Sequence, residues 1–201
     1  RKFADGRGSF AYVARSLDHL LEAGIKPFIS ITVSNRNAAG LADVTRYVLE
    51  RRLPFNFNFF RDNACAAAHS DLKLDPSSMV EGVQEAFKAI ESNLPGHSLL
   101  GGIIDRSMFA HPHKKTCGVG ESYFAIDTQG QVAKCQMSMD QPVTSIFAQD
   151  PLADIRNARS GIQNLSVDEK EACRECEWRY WCAGGCPLLT YRTIGRYDVK
   201  S

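Results

Sequence analysis

Six of the seven cysteines in this 201-residue chain fall into one pattern. Cys117 and Cys135 flank a predicted hairpin, and Cys173, Cys176, Cys182 and Cys186 follow as C-x2-C-x5-C-x3-C. Thiolates at such spacings can converge on soft metal centres, and sets of sulfur ligands mark zinc or iron–sulfur sites. Cys65 stands apart, in the loop after a predicted strand, and reads as a free structural thiol.

An odd number of cysteines, clustered and without a secretory signal segment, argues for metal ligation in a reducing compartment rather than a disulfide framework. The expected location is cytoplasmic. The opening Arg1-Lys2-Phe3-Ala4-Asp5 has neither an initiator Met nor an apolar leader, so the chain reads as an internal piece of a longer protein. No stretch is apolar for long enough to suggest a membrane span. Lysine and arginine (24) nearly balance aspartate and glutamate (23), so no global field would attract nucleic acid or an anionic membrane, and neither is expected as a partner.

The cysteine pattern resembles the SPASM domain of radical S-adenosylmethionine (SAM) enzymes. In that family a first Cys is followed by G-x4-C, then C-x2-C-x5-C-x3-C and a seventh Cys. Gly130-Gln131-Val132-Ala133-Lys134-Cys135 supplies the G-x4-C element here. The resemblance implies two auxiliary [4Fe–4S] clusters, with Cys117, Cys135 and Cys186 on cluster I and Cys173, Cys176 and Cys182 on cluster II. No cysteine follows Cys186, so the seventh ligand is expected beyond Ser201. None lies between Gly118 and Gln129, where some family members carry an eighth, and this would leave cluster I an open iron for substrate.

The rest of the chain must position these ligands. Ser9 reads as the cap of a helix with Phe10, Val13, Ala14, Leu17, Leu20 and Leu21 on one stripe and Gly24 at its end. A strand over Phe28 to Val33 follows, then a helix with Leu41, Val44, Tyr47 and Val48 before Pro54. Phe55-Asn56-Phe57-Asn58-Phe59 alternates with period two. A third helix starts at Asp75-Pro76 and carries Met79, Val80, Val83, Ala86, Phe87 and Ile90. Such alternation predicts an α/β fold with parallel strands and helices packed outside. The phenylalanines would face the helices, leaving Asn56 and Asn58 on the opposite face. With Arg61 they are candidate cofactor or substrate contacts; an ordinary amide network is the alternative.

This half is similar to the later part of the partial (β/α)6 TIM-like barrel of radical SAM enzymes, and the resemblance places the barrel part at 1–110 and a small α+β SPASM cluster-binding domain at 111–201. The C-x3-C-x2-C loop of the catalytic cluster, the SAM site and the missing barrel strands would lie earlier, so this segment alone is expected to be inactive. His111-Pro112-His113-Lys114-Lys115 reads as a solvated linker. Beyond it, Tyr123–Ile126 and Gln131–Cys135 read as strands joined at Asp127-Thr128-Gln129-Gly130, with Gly130 at positive φ. Asp150-Pro151 starts a short helix bearing Leu152 and Ile155, with Gly161 as its stop. Gly184 and Gly185 would let backbone approach a cluster, and Trp178, Tyr180 and Trp181 would shield it.

The implied activity is that of a maturase. SAM, cleaved at a further [4Fe–4S] cluster in the full-length protein, would yield a radical that abstracts hydrogen from a peptide or protein substrate. A flavodoxin or ferredoxin would be the reductant. Two other classes compete: a zinc-stabilised binding module, closed by Cys173, Cys176, Cys182 and Cys186, and a non-catalytic iron–sulfur electron carrier.

Overall fold

Apolar residues at helical spacing after Ser9 form the first helix, α1 (Phe10–Glu22). The computed structural model describes Phe3 and residues 5–61, 69–104 and 107–200, which leaves Cys65 outside the described residues. Its contacts divide the chain into two units near Leu99 and Leu100. That division falls about ten residues before the expected linker.

In the first unit, α1 ends where Gly24 takes φ +74°, with the Gly24 N–H on Leu21 O at 3.0 Å and the Ile25 N–H on Leu20 O at 2.8 Å. This is a Schellman closure, which satisfies carbonyls that the helix leaves open. Strand β1 (Ile29–Val33) runs parallel to β2 (Phe55–Phe59), in register from Ile29 opposite Phe55 to Val33 opposite Phe59. A parallel pair needs a crossover, and helix α2 (Leu41–Glu50) lies in that connection. Ile31, Val33, Phe55 and Phe57 are buried on one face, as period two predicts, while Ser30 and Thr32 on the other are exposed. Helix α1 meets α2 through an edge-on Phe10–Tyr47 ring pair at 5.6 Å and Arg51–Asp18 at 3.9 Å. Its stripe stays shallow, with Phe10 62 % exposed.

Helix α3 (Pro76–Ser92) starts as the sequence predicts. The Asp75 carboxylate accepts the Ser78 N–H at 2.8 Å and Pro76 occupies the first turn. Its buried face differs from the predicted stripe. Gly82, Ala86, Ala89 and Ile90 pack inward and Val80 turns out. Small residues win here because α3 lies against the 3₁₀ turn Ala38–Gly40, where a Cβ on Gly82 would collide with the Ala38 carbonyl. In α2, likewise, Leu41, Thr45, Val48 and Leu49 are buried and Val44 is exposed; Thr45 is accommodated by donating its hydroxyl to Leu41 O at 2.7 Å. The unit is thus mixed α/β with a two-stranded parallel sheet, and among the described residues there is no closed barrel. Two strands cannot close one, since strand number, tilt and register stagger are linked.

In the second unit, β3 (Ala125–Ile126) and β4 (Gln131–Ala133) form the predicted antiparallel hairpin in a shorter version, and β5 (Thr144–Ser145) adds an unpredicted third strand. Asp127 organises the turn, its Oδ1 accepting Gln129 N–H at 2.9 Å and Gln131 N–H at 2.8 Å. Gly130 takes φ +78°, and a Cβ there would stand 2.9 Å from Ile146 Cγ1. Helix α4 (Pro151–Asn157) is capped by Asp150 and buries Ile155, but leaves Leu152 exposed and ends four residues before Gly161. Two short helices complete the fold, α5 (Arg179–Cys182) and α6 (Pro187–Ile194). No described helix is long and apolar enough to cross a membrane.

Candidate metal centre

Three cysteines from separate segments meet at one cavity. Cys117 follows Thr116, whose hydroxyl lies 2.9 Å from Ala183 O and 2.6 Å from Gly185 O, tying this segment to the loop between α5 and α6. Cys135 lies two residues past β4, at the start of a 3₁₀ turn over Gln136–Ser138, and Cys186 is the N-cap residue of α6. All three pack on an apolar cluster of Val119, Ile162 and Leu188. They line a cavity of about 300 Å³ that Tyr123, Gln136 and Pro187 complete. That is several times the ~30 Å³ share of one water in the liquid. Asn164 holds the Cys117 carbonyl at 2.6 Å, while its own Oδ1 is buried without a partner.

The other three cysteines sit along the turn that leads into α5. The Cys176 N–H donates to Cys173 O at 2.9 Å, and Cys182 closes α5. Burial pushes the Cys173 thiol up; the Lys170 ammonium works in the opposite sense, and Cys182 and Cys176 add to the rise. Cys173 is buried, whereas Cys176 and Cys182 are exposed. Ala183, Gly184 and Gly185 are consecutive residues at positive φ. A Cβ on Gly184 would stand 3.1 Å from Cys173 Sγ, so glycine is what allows this loop to lie against the sulfur.

The donor set suits a soft centre, and the first group lines a cavity together with the apolar Val119, Ile162 and Leu188. By donor type, the residues present suit a thiolate-held cluster. Among the described residues, no group of three or more His, Cys, Asp or Glu side chains is placed to hold a metal ion.

Other predicted residues fall differently. The amide of Asn58 donates to Ser30 Oγ and to Asn56 Oδ1 at 3.2 Å, so half-buried Asn56 and Asn58 join exposed Ser30 in a polar row on the sheet face away from the phenylalanines. Arg61 follows β2 and groups with the second unit. Trp178 is 59 % exposed and shields little, while Tyr180 and Trp181 are half-buried. Tyr180 donates to Asp168 at 2.9 Å. The basic segment from His111 is held within the second unit. The His113 N–H donates to Tyr180 O at 2.8 Å, Lys114 O accepts the Val167 N–H at 2.7 Å, and Lys115 pairs with Glu121. Thr116, Asn164 and Lys170 were not anticipated as site residues. Thr116 precedes Cys117 and Lys170 lies one turn before Cys173, which is the only local signal either offered.

No protein-family model matches this chain, and no curated protein is similar to it at a significant level. The class defined by fold and site is thus a mixed α/β chain whose second unit carries a cysteine-lined cavity.

Proposed function

We propose that the second unit is a SPASM-type auxiliary iron–sulfur module and the first the later part of a radical SAM partial barrel, together a segment of a peptide- or protein-modifying maturase. Cys117, Cys135 and Cys186 would hold one [4Fe–4S] cluster, and Cys173, Cys176 and Cys182 would contribute to a second. One observation carries the reading: the cavity gathers the same three cysteines that the family resemblance assigns to one cluster, although they lie on three separate segments. When bound, the clusters would carry electrons or present an iron to substrate. This chain's residues supply the thiolates, the apolar wall of Val119, Ile162 and Leu188, and the glycine loop that approaches Cys173. Asn56 and Asn58 on the first unit's sheet face and, separately, Arg61 are the residues we propose as contacts for SAM or substrate. The proposed setting is cytoplasmic, with a flavodoxin or ferredoxin as reductant.

The test is iron, acid-labile sulfide and zinc per chain after anaerobic purification and reconstitution, read with the visible spectrum. Iron and sulfide in equal amounts, falling in Cys135→Ala and Cys176→Ala, are the expected result. Stoichiometric zinc without sulfide would replace this reading with a structural zinc module. Clusters that load and cycle in a full-length protein unable to cleave SAM would favour the electron carrier.

A further inference from the structure

Lys170 is the unexpected residue of the second unit. In sequence it belongs to the charged run Asp168-Glu169-Lys170-Glu171, a composition that reads as solvated, yet it is 1 % exposed. The carboxylates beside it are engaged elsewhere. Asp168 takes Lys114 at 2.8 Å and the Tyr180 hydroxyl at 2.9 Å, Glu169 accepts the Ser166 N–H at 2.8 Å, and Glu171 pairs with Arg196 at 3.0 Å. The ammonium turns inward and donates to the Ala183 carbonyl at 2.9 Å. It also flanks Gly184 from the same side as a sulfur: a Cβ there would stand 3.1 Å from Lys170 Nζ and 3.1 Å from Cys173 Sγ.

A buried ammonium with one carbonyl as partner is costly, because its desolvation exceeds what a single neutral acceptor returns. Burial accordingly pushes the Lys170 ammonium down, and the groups that offset this are Cys173, Cys182, Cys117 and Cys186. Two of these belong to each proposed cluster. The Ala183 carbonyl that accepts the ammonium also accepts the Thr116 hydroxyl at 2.9 Å, next to Cys117, so the cation lies on the Cys173 side of Gly184 and one carbonyl away from the Cys117 segment. Thiolate-held iron–sulfur clusters carry net negative charge, which grows on reduction, and nearby charge is among the levers that set their potentials.

We infer that Lys170 is a charge-compensating residue, an internal cation shared by the two cysteine groups that offsets the negative charge of the bound clusters and raises their reduction potentials. The inference rests on the iron–sulfur reading above. Its role is electrostatic, so charge rather than shape should decide the effect of substitution.

The test uses anaerobically reconstituted full chain and compares wild type with Lys170→Met, Lys170→Gln and Lys170→Arg. Glutamine removes the charge and keeps an N–H donor, one atom shorter in reach, on the side of the Ala183 carbonyl, so it serves if the methionine variant does not fold. Spectroelectrochemical titration is expected to show the neutral variants at least tenfold harder to reduce, a downward shift of about 59 mV or more for a one-electron couple. Lys170→Arg should stay near wild type. Neutral variants that retain wild-type iron and an unshifted potential would overturn the inference and leave the cluster reading intact. Equal shifts in the glutamine and arginine variants would overturn it too, since packing would then be the cause. Wild-type protein that binds no iron or sulfide would remove both readings.

Discussion

Gly184 and Gly195 form a matched pair for separating backbone strain from crowding at the proposed centre. Both take φ +77°, so an alanine at either meets the same left-handed penalty of about 1–2 kcal/mol. At Gly195, just past α6, a Cβ would meet nothing within 4 Å. At Gly184 it would stand 3.0 Å from Lys170 Cδ and 3.1 Å from both Lys170 Nζ and Cys173 Sγ. Lys170 is buried and held to Ala183, so it cannot swing away as a surface lysine would. Overpacking of this kind costs a further ~1–2 kcal/mol. We expect Gly195→Ala to lower stability by about 1–2 kcal/mol and leave iron content unchanged. Gly184→Ala should cost about 2–4 kcal/mol and lower iron per chain, because the same methyl displaces the Cys173 sulfur. Urea denaturation under anaerobic conditions, with iron analysis on the same samples, measures both. Equal losses of stability and equal iron in the two variants would refute the argument that the loop lies tightly against Cys173 and Lys170.

Two further predictions concern the supports of the site. Thr116→Val keeps the shape of a buried side chain and removes the hydroxyl that faces Ala183 O and Gly185 O; it should cost about 1–2 kcal/mol, seen as a lowered urea midpoint, and slow iron incorporation. The Lys114 ammonium and Tyr180 hydroxyl hold the Asp168 carboxyl below the usual carboxylate range. Its contribution to stability is therefore complete above the unfolded pKa of about 3.9 and lost as pH falls through the lower folded value. Denaturation midpoints should drop below about pH 4, and Asp168→Asn should make that drop shallower. A variant with an unchanged acid limb would exclude Asp168 as a contributor.

Local signals carried much of the fold. Asp75-Pro76, Asp150-Pro151 and Gly24 are cap and stop residues whose effect is confined to one turn, and all three act where the sequence placed them. The alternation of Phe55 to Phe59 likewise named the buried face of β2, because period two leaves no other choice. The buried faces of α2 and α3 were misjudged because hydrophobicity alone ranks Val44 and Val80 above Gly82 and Thr45. Close approach to the Ala38–Gly40 turn favours absence of a side chain over apolarity, and a back-bonded threonine hides its own hydroxyl. At the site, the cysteine spacing stood out because cysteines are few and chemically distinctive, and three of the residues it singled out line one cavity. Lys170, Thr116 and Asn164 did not, since a lysine among acids and a polar residue in a loop look like surface until long-range packing turns them inward.

The origin of the cavity in three segments has a consequence for biosynthesis. Cys135 leaves the ribosome 51 residues ahead of Cys186 and Cys117 leaves 69 residues ahead, intervals of roughly 3–14 s at ordinary rates of synthesis. Until α6 and Leu188 arrive, the hairpin carries two thiols beside an uncovered Val119 and Ile162, and neither sulfur has the third with which it shares the cavity. Closing it requires contacts of long sequence separation, which form late. Any centre built here is consequently an end-stage acquisition. The nascent chain passes through an interval in which its thiols are open to oxidation, so yield in a cell would depend on oxygen exposure and on the timing of iron–sulfur delivery relative to translation.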